Sequence, residues 1–344
     1  MTKQTLILLG LGLGICLALV GLTLFESFPV TMINPLVPEP SLVPAKPFQA
    51  YAFLNLRAAV PQASQIVLEA VLYQDPSFTA YRFAYQTEAK KMTGQLNLPT
   101  AATPAAGFPV VLMLRGYVDP AIYQTGIGTQ TGAAFFAKNG LATIAPDFLG
   151  YGGSDDPDSN VIGERLQKPR HLLDLIASLA SLPVLDPTQM VIWAHSNGGQ
   201  IALSLLEITQ KPIPTTLWAP ISKPFPYSIL YYTDEADDQG KALRAALAEF
   251  EQAYDVYDFS IDRYYDQIQA PLLIHQGTAD DAVPLAWSQA LADTLKSLDL
   301  DVTLYPYPGN DHNLRPSWET VIARDLDFFN HPLHRVLTPH STKN

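Results

Sequence analysis

Cysteine is all but missing from the 344-residue chain, with Cys16 its single example. One cysteine cannot build an internal disulfide framework, and it excludes a cysteine-rich metal site. Positive charge is scarce as well: 21 basic residues face 33 acidic ones, for a formal net charge of −12. Phosphate backbones are repelled by that balance, so a nucleic-acid partner is not expected. Charged residues amount to 16% against 48% apolar ones, too apolar a mixture for a disordered chain. The length is ample for a large core, and a soft prior of roughly 150 residues per domain suggests about two domains. No internal repeat is visible. Long apolar runs are confined to one place, the N-terminus, although mean hydropathy is slightly positive at +0.08.

That run, TLILLGLGLGICLALVGLTLF from Thr5 to Phe25, carries no charge. As a helix, about 20 such residues match the hydrocarbon thickness of a bilayer. Lys3 precedes it and Glu26 follows it, which places the N-terminus in the cytoplasm and the bulk of the chain beyond the membrane. A cleaved signal peptide, leaving a secreted or periplasmic protein, is the alternative. A lipid anchor at Cys16 fits poorly behind the bulky Ile15. Residues 1–28 are therefore read as a membrane anchor or signal segment. Prolines at 29, 35, 38, 40, 44 and 47 make residues 29–47 an extended, semi-rigid linker. The remainder reads as one large domain over 48–330, followed by a loose tail over 331–344.

Within the domain, IVLEAVLY, FTAYRFAYQT and MTGQLNL between Ser64 and Leu98 are β-rich and predict an antiparallel opening to a sheet. Short continuous apolar runs follow: PVVLML, LATIA, MVIW, TLWA and PLLI. Such runs suit parallel strands buried on both faces. Helical patterns lie between them, at 132–138, 165–182, 197–209 and 287–298, with a final strand at 302–306 and a final helix at 318–329. This alternation predicts an α/β fold: a mostly parallel central sheet with antiparallel N-terminal strands and helices on both faces. Residues 221–269 interrupt the pattern with seven tyrosines and several acids, among them Asp234, Asp237 and Asp238. They are read either as a small cap over the strands' carboxyl ends or as a longer connection whose aromatics pack on the core. As a cap, its acids would favour cationic substrates.

Chemistry points to VIWAHSNGG, residues 191–199, where an apolar strand runs into a serine flanked by small residues and a helix begins at once. Such flanks permit a tight strand-to-helix turn that lifts the hydroxyl of Ser196 above the sheet. Ala194 stands where the G-x-S-x-G pattern has its first glycine. A serine nucleophile needs a base and a group that orients the base. Asp280, with Asp281 as the alternative, lies in HQGTADDAVP after a buried strand, and His312 lies in PGNDH after the last one. The order Ser196, Asp280, His312 is nucleophile, acid, histidine. His195 is set aside as pointing into the structure, and His275 as lying within a strand. Two backbone amides should hold the oxyanion: that of Asn197, and that of Tyr117 in Arg115-Gly116-Tyr117 after the strand ending at Leu114. A plain loop aromatic is the other reading of Tyr117.

Over residues 80–329 these segments resemble the α/β-hydrolase superfamily, and most nearly the catalytic domain of the prolyl oligopeptidase family and its single-domain bacterial relatives. TAYRFAYQTEAKKMTGQLNLP is similar to the two strands that open that domain, and RGYVDPAIYQ to its HGY-type oxyanion turn. GLATIAPDFLGYGGSDD is similar to its strand and D-x-x-G-x-G-x-S turn, which makes Asp147 structural. DPTQMVIWAHSNGG, GTADDAVP and GNDHNL match the nucleophile, acid and histidine segments, with Ala194 and Arg115 as departures. The resemblance implies a serine hydrolase cleaving carboxylic esters through an acyl-enzyme. The alternative substrate is a short peptide, cleaved as by an oligopeptidase or aminoacyl-peptidase, and the alternative role is a catalytically silent binding scaffold. No cofactor or metal is expected. The oligomeric state is left open.

Overall fold

The computed structural model describes residues 46–157 and 160–337. The apolar N-terminal run, nearly all of the proline-rich linker and the residues past 337 lie outside the described residues. Among the described residues no helix is long and apolar enough to cross a membrane.

Nine strands form one open sheet: β1 (Val67–Asp75), β2 (Phe78–Thr87), β3 (Lys90–Pro99), β4 (Phe108–Leu114), β5 (Ala142–Pro146), β6 (Leu185–His195), β7 (Thr215–Trp218), β8 (Leu272–Gly277) and β9 (Val302–Tyr307). Their order is β1-β2-β3-β5-β4-β6-β7-β8-β9. The first three are an antiparallel meander joined antiparallel to β5, and every later pairing is parallel. Two residues of positive φ, Glu88 and Ala89, turn β2 into β3, the backbone twist a two-residue hairpin requires. Strand order reverses between β4 and β6, which opens a crevice at their carboxyl ends.

Alternation along the central strands builds a core on each face. On β4, Val110, Leu112 and Leu114 point to one side, and Val111 and Met113 to the other. On β6, Ile192 and Ala194 join the first set, and Val191 and Trp193 the second. The helices are α1 (Phe53–Ala58), α2 (Gln130–Lys138), α3 (Val161–Ser178), α4 (Asn197–Thr209), α5 (Tyr227–Leu230), α6 (Lys241–Ala253), α7 (Leu285–Ser297) and α8 (Trp318–Leu337). Leucines of α3, α4 and α7 fill the first core, while Phe136 of α2 and Val321, Ile322 and Phe329 of α8 fill the second.

Several helix boundaries differ from the sequence expectation: α2 and α7 each begin two residues early, α3 ends at Ser178 rather than 182, and two further ends differ as well. Helix α3 starts at Val161 rather than 165, because the Asn160 side chain accepts from the Ile162 and Gly163 amides and supplies the cap. Helix α8 runs on to Leu337, into the stretch read as a loose tail, with Pro332 inside it.

Beneath the second core lies a polar knot. His275 and Asp325 are fully buried, with His275 Nε2 2.9 Å from Asp325 Oδ1. Trp218 donates to the other carboxylate oxygen at 2.7 Å, and the Tyr307 hydroxyl lies 2.8 Å from His275 Nδ1. Removing one member of such a set leaves buried groups unpaired. Asp325→Ala is therefore expected to cost about 3–5 kcal/mol in urea unfolding of the full chain. A loss under about 1 kcal/mol would mean that the knot is dispensable.

Candidate active site

Register places the crevice residues side by side. Leu114 of β4 pairs with Ala194 of β6, so Arg115-Gly116 emerges next to His195-Ser196. Ser196 takes φ 55° and ψ −119°, a strained turn between β6 and α4, and is 8% exposed. The turn closes only because its neighbours are small. A Cβ on Gly198 would collide with the Leu114 carbonyl, and one on Gly116 would lie 3.0 Å from the Ser196 Cβ. Ala194 is fully buried in the strand, where its methyl group packs in the core as an ordinary strand residue.

Asp280 and His312 meet across the ends of β8 and β9. His312 Nδ1 lies 2.9 Å and 3.1 Å from the two Asp280 oxygens. The carboxylate also accepts from the Ala282 and Val283 amides and from Gln276 Nε2, at 2.9, 2.8 and 2.7 Å. Burial pushes its pKa up, but these donors outweigh burial and hold the group below the usual carboxylate range. Asp281, the other candidate, is exposed, and the contact with the imidazole belongs to Asp280.

Asn197 is the first residue of α4, where an amide has no carbonyl one turn back to accept from it. Tyr117 is 74% exposed in the loop after β4. The residue before that loop's glycine, Arg115, is only 6% exposed and caged. Its guanidinium carbon sits 4.1 Å from the Tyr151 ring centre and 4.5 Å from that of Tyr123. It donates to the carbonyls of Gly116 and Asp147, each at 2.9 Å. The Gly116 carbonyl shares one planar trans peptide with the Tyr117 amide, so holding the carbonyl aims the amide the opposite way. Arginine thus fixes the turn by a side-chain bond in the place where histidine was expected.

Asp147 holds the same loop from below, accepting from Thr93 at 2.6 Å, Tyr123 at 2.7 Å and Thr125 at 2.9 Å. Burial raises its pKa despite those donors. Gly152 is required alongside, since a Cβ there would strike the Asp147 carboxylate.

His195 does not turn into the core. Its Nε2 donates to the main-chain carbonyl of His312 at 3.0 Å, and the two rings lie 4.7 Å apart. Sequence reasoning missed this contact because it joins positions 117 apart in the chain. Burial, and next the His312 ring, push the His195 imidazole down to about 4.

Residues 221–269 form short helices and turns between β7 and β8. Most of their aromatics pack: Tyr231 against Trp287 at 4.7 Å, Tyr254 against Phe250 at 4.6 Å, and Tyr264 against Phe53 at 5.2 Å. Phe225, Ile229 and Phe259, however, wall a cavity of about 60 Å³ that Asn197, Gln200 and Ile201 of α4 close from the other side. Among the described residues no cluster of three or more histidine, cysteine, aspartate or glutamate side chains could hold a metal.

A family model described as the prolyl oligopeptidase family matches residues 129–335. The chain belongs to that family. Comparison with curated proteins gives no match. Among solved structures, a puromycin-hydrolyzing peptidase of Mycobacterium tuberculosis is 17% identical with a TM-score of 0.58, covering 75% of this chain and 40% of its own. The chain thus spans about two fifths of that peptidase. Est1E from Butyrivibrio proteoclasticus is 19% identical, with a TM-score of 0.52 over 75% of this chain and 99% of its own. An acetyl xylan esterase from Paenibacillus sp. R4 is 18% identical, with a TM-score of 0.55 over 84% of this chain and 96% of its own. The fold is that of the α/β-hydrolases.

Burial of His195 makes stability depend on pH. The unfolded chain takes up this proton near pH 6.5, the folded chain only near about 4. Stability is therefore whole above about 6.5 and falls as pH drops through that window. Thermal unfolding from about pH 7 to about pH 4 should show the decline, and His195→Gln should flatten it; an identical slope in the variant would remove His195 as its source.

Proposed function

We propose that the chain hydrolyses carboxylic esters through Ser196, His312 and Asp280. The observation that carries the reading is the pair of features at the strand ends: a strained serine at the head of α4, and a histidine, bonded through its carbonyl to the serine's neighbour His195, whose Nδ1 is held by a buried carboxylate. With Nδ1 donating to Asp280, His312 Nε2 is the basic nitrogen that takes the Ser196 proton as the hydroxyl attacks an acyl carbon. Asp280, kept ionised, stabilises the imidazolium that results. The Asn197 and Tyr117 amides receive the oxyanion, the latter aimed by Arg115. The imidazolium then returns its proton to the departing alcohol, and water releases the acid from Ser196 by the same steps in reverse order.

Two observations favour esters: the small, largely apolar cavity beside Asn197, and the end-to-end likeness to Est1E and to the acetyl xylan esterase. The family match keeps short peptides as the second reading. Insertion of residues 5–25 in a membrane, with the hydrolase domain outside the cytoplasm, rests on the sequence alone; fractionation of cells making the full chain decides it.

Ser196→Ala should abolish labelling by a fluorophosphonate probe and cut kcat by roughly 10⁶-fold, and Asp280→Asn by roughly 10⁴-fold. Persistent labelling at another serine would overturn the assignment, and no labelling of the wild type would favour the silent scaffold. A panel of p-nitrophenyl esters and aminoacyl-naphthylamides separates esterase from peptidase. Arg115→Met should lower kcat by roughly 10²-fold with little change in KM, as expected when one oxyanion donor loses its aim.

A further inference from the structure

The cavity beside Asn197 has a wall that ester hydrolysis does not explain. Its lining includes Arg165 and Lys168 of α3 and no carboxylate, in a chain whose net charge is −12. The acids of residues 221–269 do not balance these cations. Asp234, Asp237 and Asp238 are exposed, and Asp238 is engaged with the Gly240 and Ala242 amides at the start of α6, each at 2.8 Å.

Lys168 is mostly buried, its side chain 15% exposed, and its ion pair with Glu164 is a loose 3.9 Å. Glu164 is half-buried one turn before Lys168 on the same helix face and is not part of the lining. The Phe148 ring lies 5.7 Å from the Lys168 ammonium on one side and 5.9 Å from the caged Arg115 guanidinium on the other. Arg165 is exposed and forms no ion pair among the described residues, although Glu164 acts on its charge more strongly than the phenols of Tyr151 and Tyr117 by the oxyanion turn. Arg165 and Lys168 thus face one carboxylate, Glu164, on the α3 side of Asn197, while the nearby Arg115 has the Asp147 carboxylate beside it. Burial, the strongest influence, brings the Lys168 ammonium down to about 8; Glu164 opposes it, and Arg165 and Arg115 add to it, so the one carboxylate does not offset burial.

We propose that this cavity binds a carboxylate carried by the substrate, so that the preferred esters are half-esters of dicarboxylic acids. Lys168 and Arg165 are the residues that recognise it. Asn197 both lines the cavity and starts the oxyanion helix, so the carboxylate sits a few bonds from the scissile carbonyl. A cavity of about 60 Å³ accepts a group of carboxylate size, about twice the roughly 30 Å³ share of one liquid water. The cationic preference expected from the acids of the insertion is replaced by an anionic one. This inference rests on the esterase reading, and the experiment separates the two.

Acid release is measured by pH-stat as monomethyl adipate and methyl hexanoate are hydrolysed, with wild-type full-length protein and with Lys168→Met, Arg165→Met and Lys168→Arg. The wild type should favour the half-ester in kcat/KM by at least about tenfold. Each methionine variant should lower the ratio of half-ester to neutral ester by about tenfold or more, and Lys168→Arg, which keeps the charge, should retain it. A wild-type preference for methyl hexanoate, or a ratio unmoved in both methionine variants, overturns the proposal. Should neither ester be hydrolysed, the esterase reading fails on its own. Calorimetric titration of Ser196→Ala with monomethyl adipate then decides the cavity independently of turnover. Binding that weakens at least about tenfold when Lys168→Met is added supports it, and absent or unchanged binding refutes it.

Discussion

Everything in the crevice depends on one close approach between two pieces of backbone. Helix α4 begins so near the end of β4 that Gly198 has no room for a side chain against the Leu114 carbonyl. That proximity forces Ser196 to φ 55° and sets the loop after β4 against the hydroxyl it is to serve. The strain is held by the parallel ladder on both sides, since β6 is paired with β4 and β7 right up to the turn. A strained residue persists only where its surroundings over-determine it, and here two neighbouring strands do so.

The loop after β4 shows how a changed residue type can leave a geometry standing. Backbone amides do the presumed work at an oxyanion site, so the side chain before the glycine is free to vary if something orients the peptide. Arg115 does this with two main-chain bonds while its charge is spread over Tyr123 and Tyr151. Cation–π contact in a site shielded from water is worth about 2 kcal/mol or more, which helps offset the burial of a guanidinium. Asp147 contributes by tying Tyr123 and Thr125 to Thr93, so the loop is anchored to β3 as well.

What could be read from the sequence was whatever is local. Period-two runs marked the strands, and α4 was bounded correctly because its start coincides with a chemical signal, the small residues around Ser196. Asp280 and His312 were legible from their places after buried runs. Asp281 could be set apart only in three dimensions, by its exposure. Side-chain contacts left no pattern: the Asn160 cap lengthens α3, the Arg115 cage joins two loops, and the His195 bond spans 117 positions. Charge was the most misleading guide. The acids near residue 234 are adjacent in sequence to cavity-lining residues such as Ile229, yet face solvent.

The net charge and the cationic cavity do not conflict once distance is considered. At physiological ionic strength charges are screened over about 8 Å, so exposed acids elsewhere on the surface contribute little inside the crevice. Lys168 and its ligand, by contrast, meet in a place with little water, where an interaction at about 4 Å is several times stronger than in bulk solvent. The chain's −12 therefore describes how the molecule meets solvent and other macromolecules. Which ester enters is decided locally, by two cations on α3 and by the apolar wall that residues 221–269 set opposite them. An anion reaching that wall replaces the water that Lys168 lost on folding, and its binding energy is applied next to Asn197, where the acyl group must be held for attack.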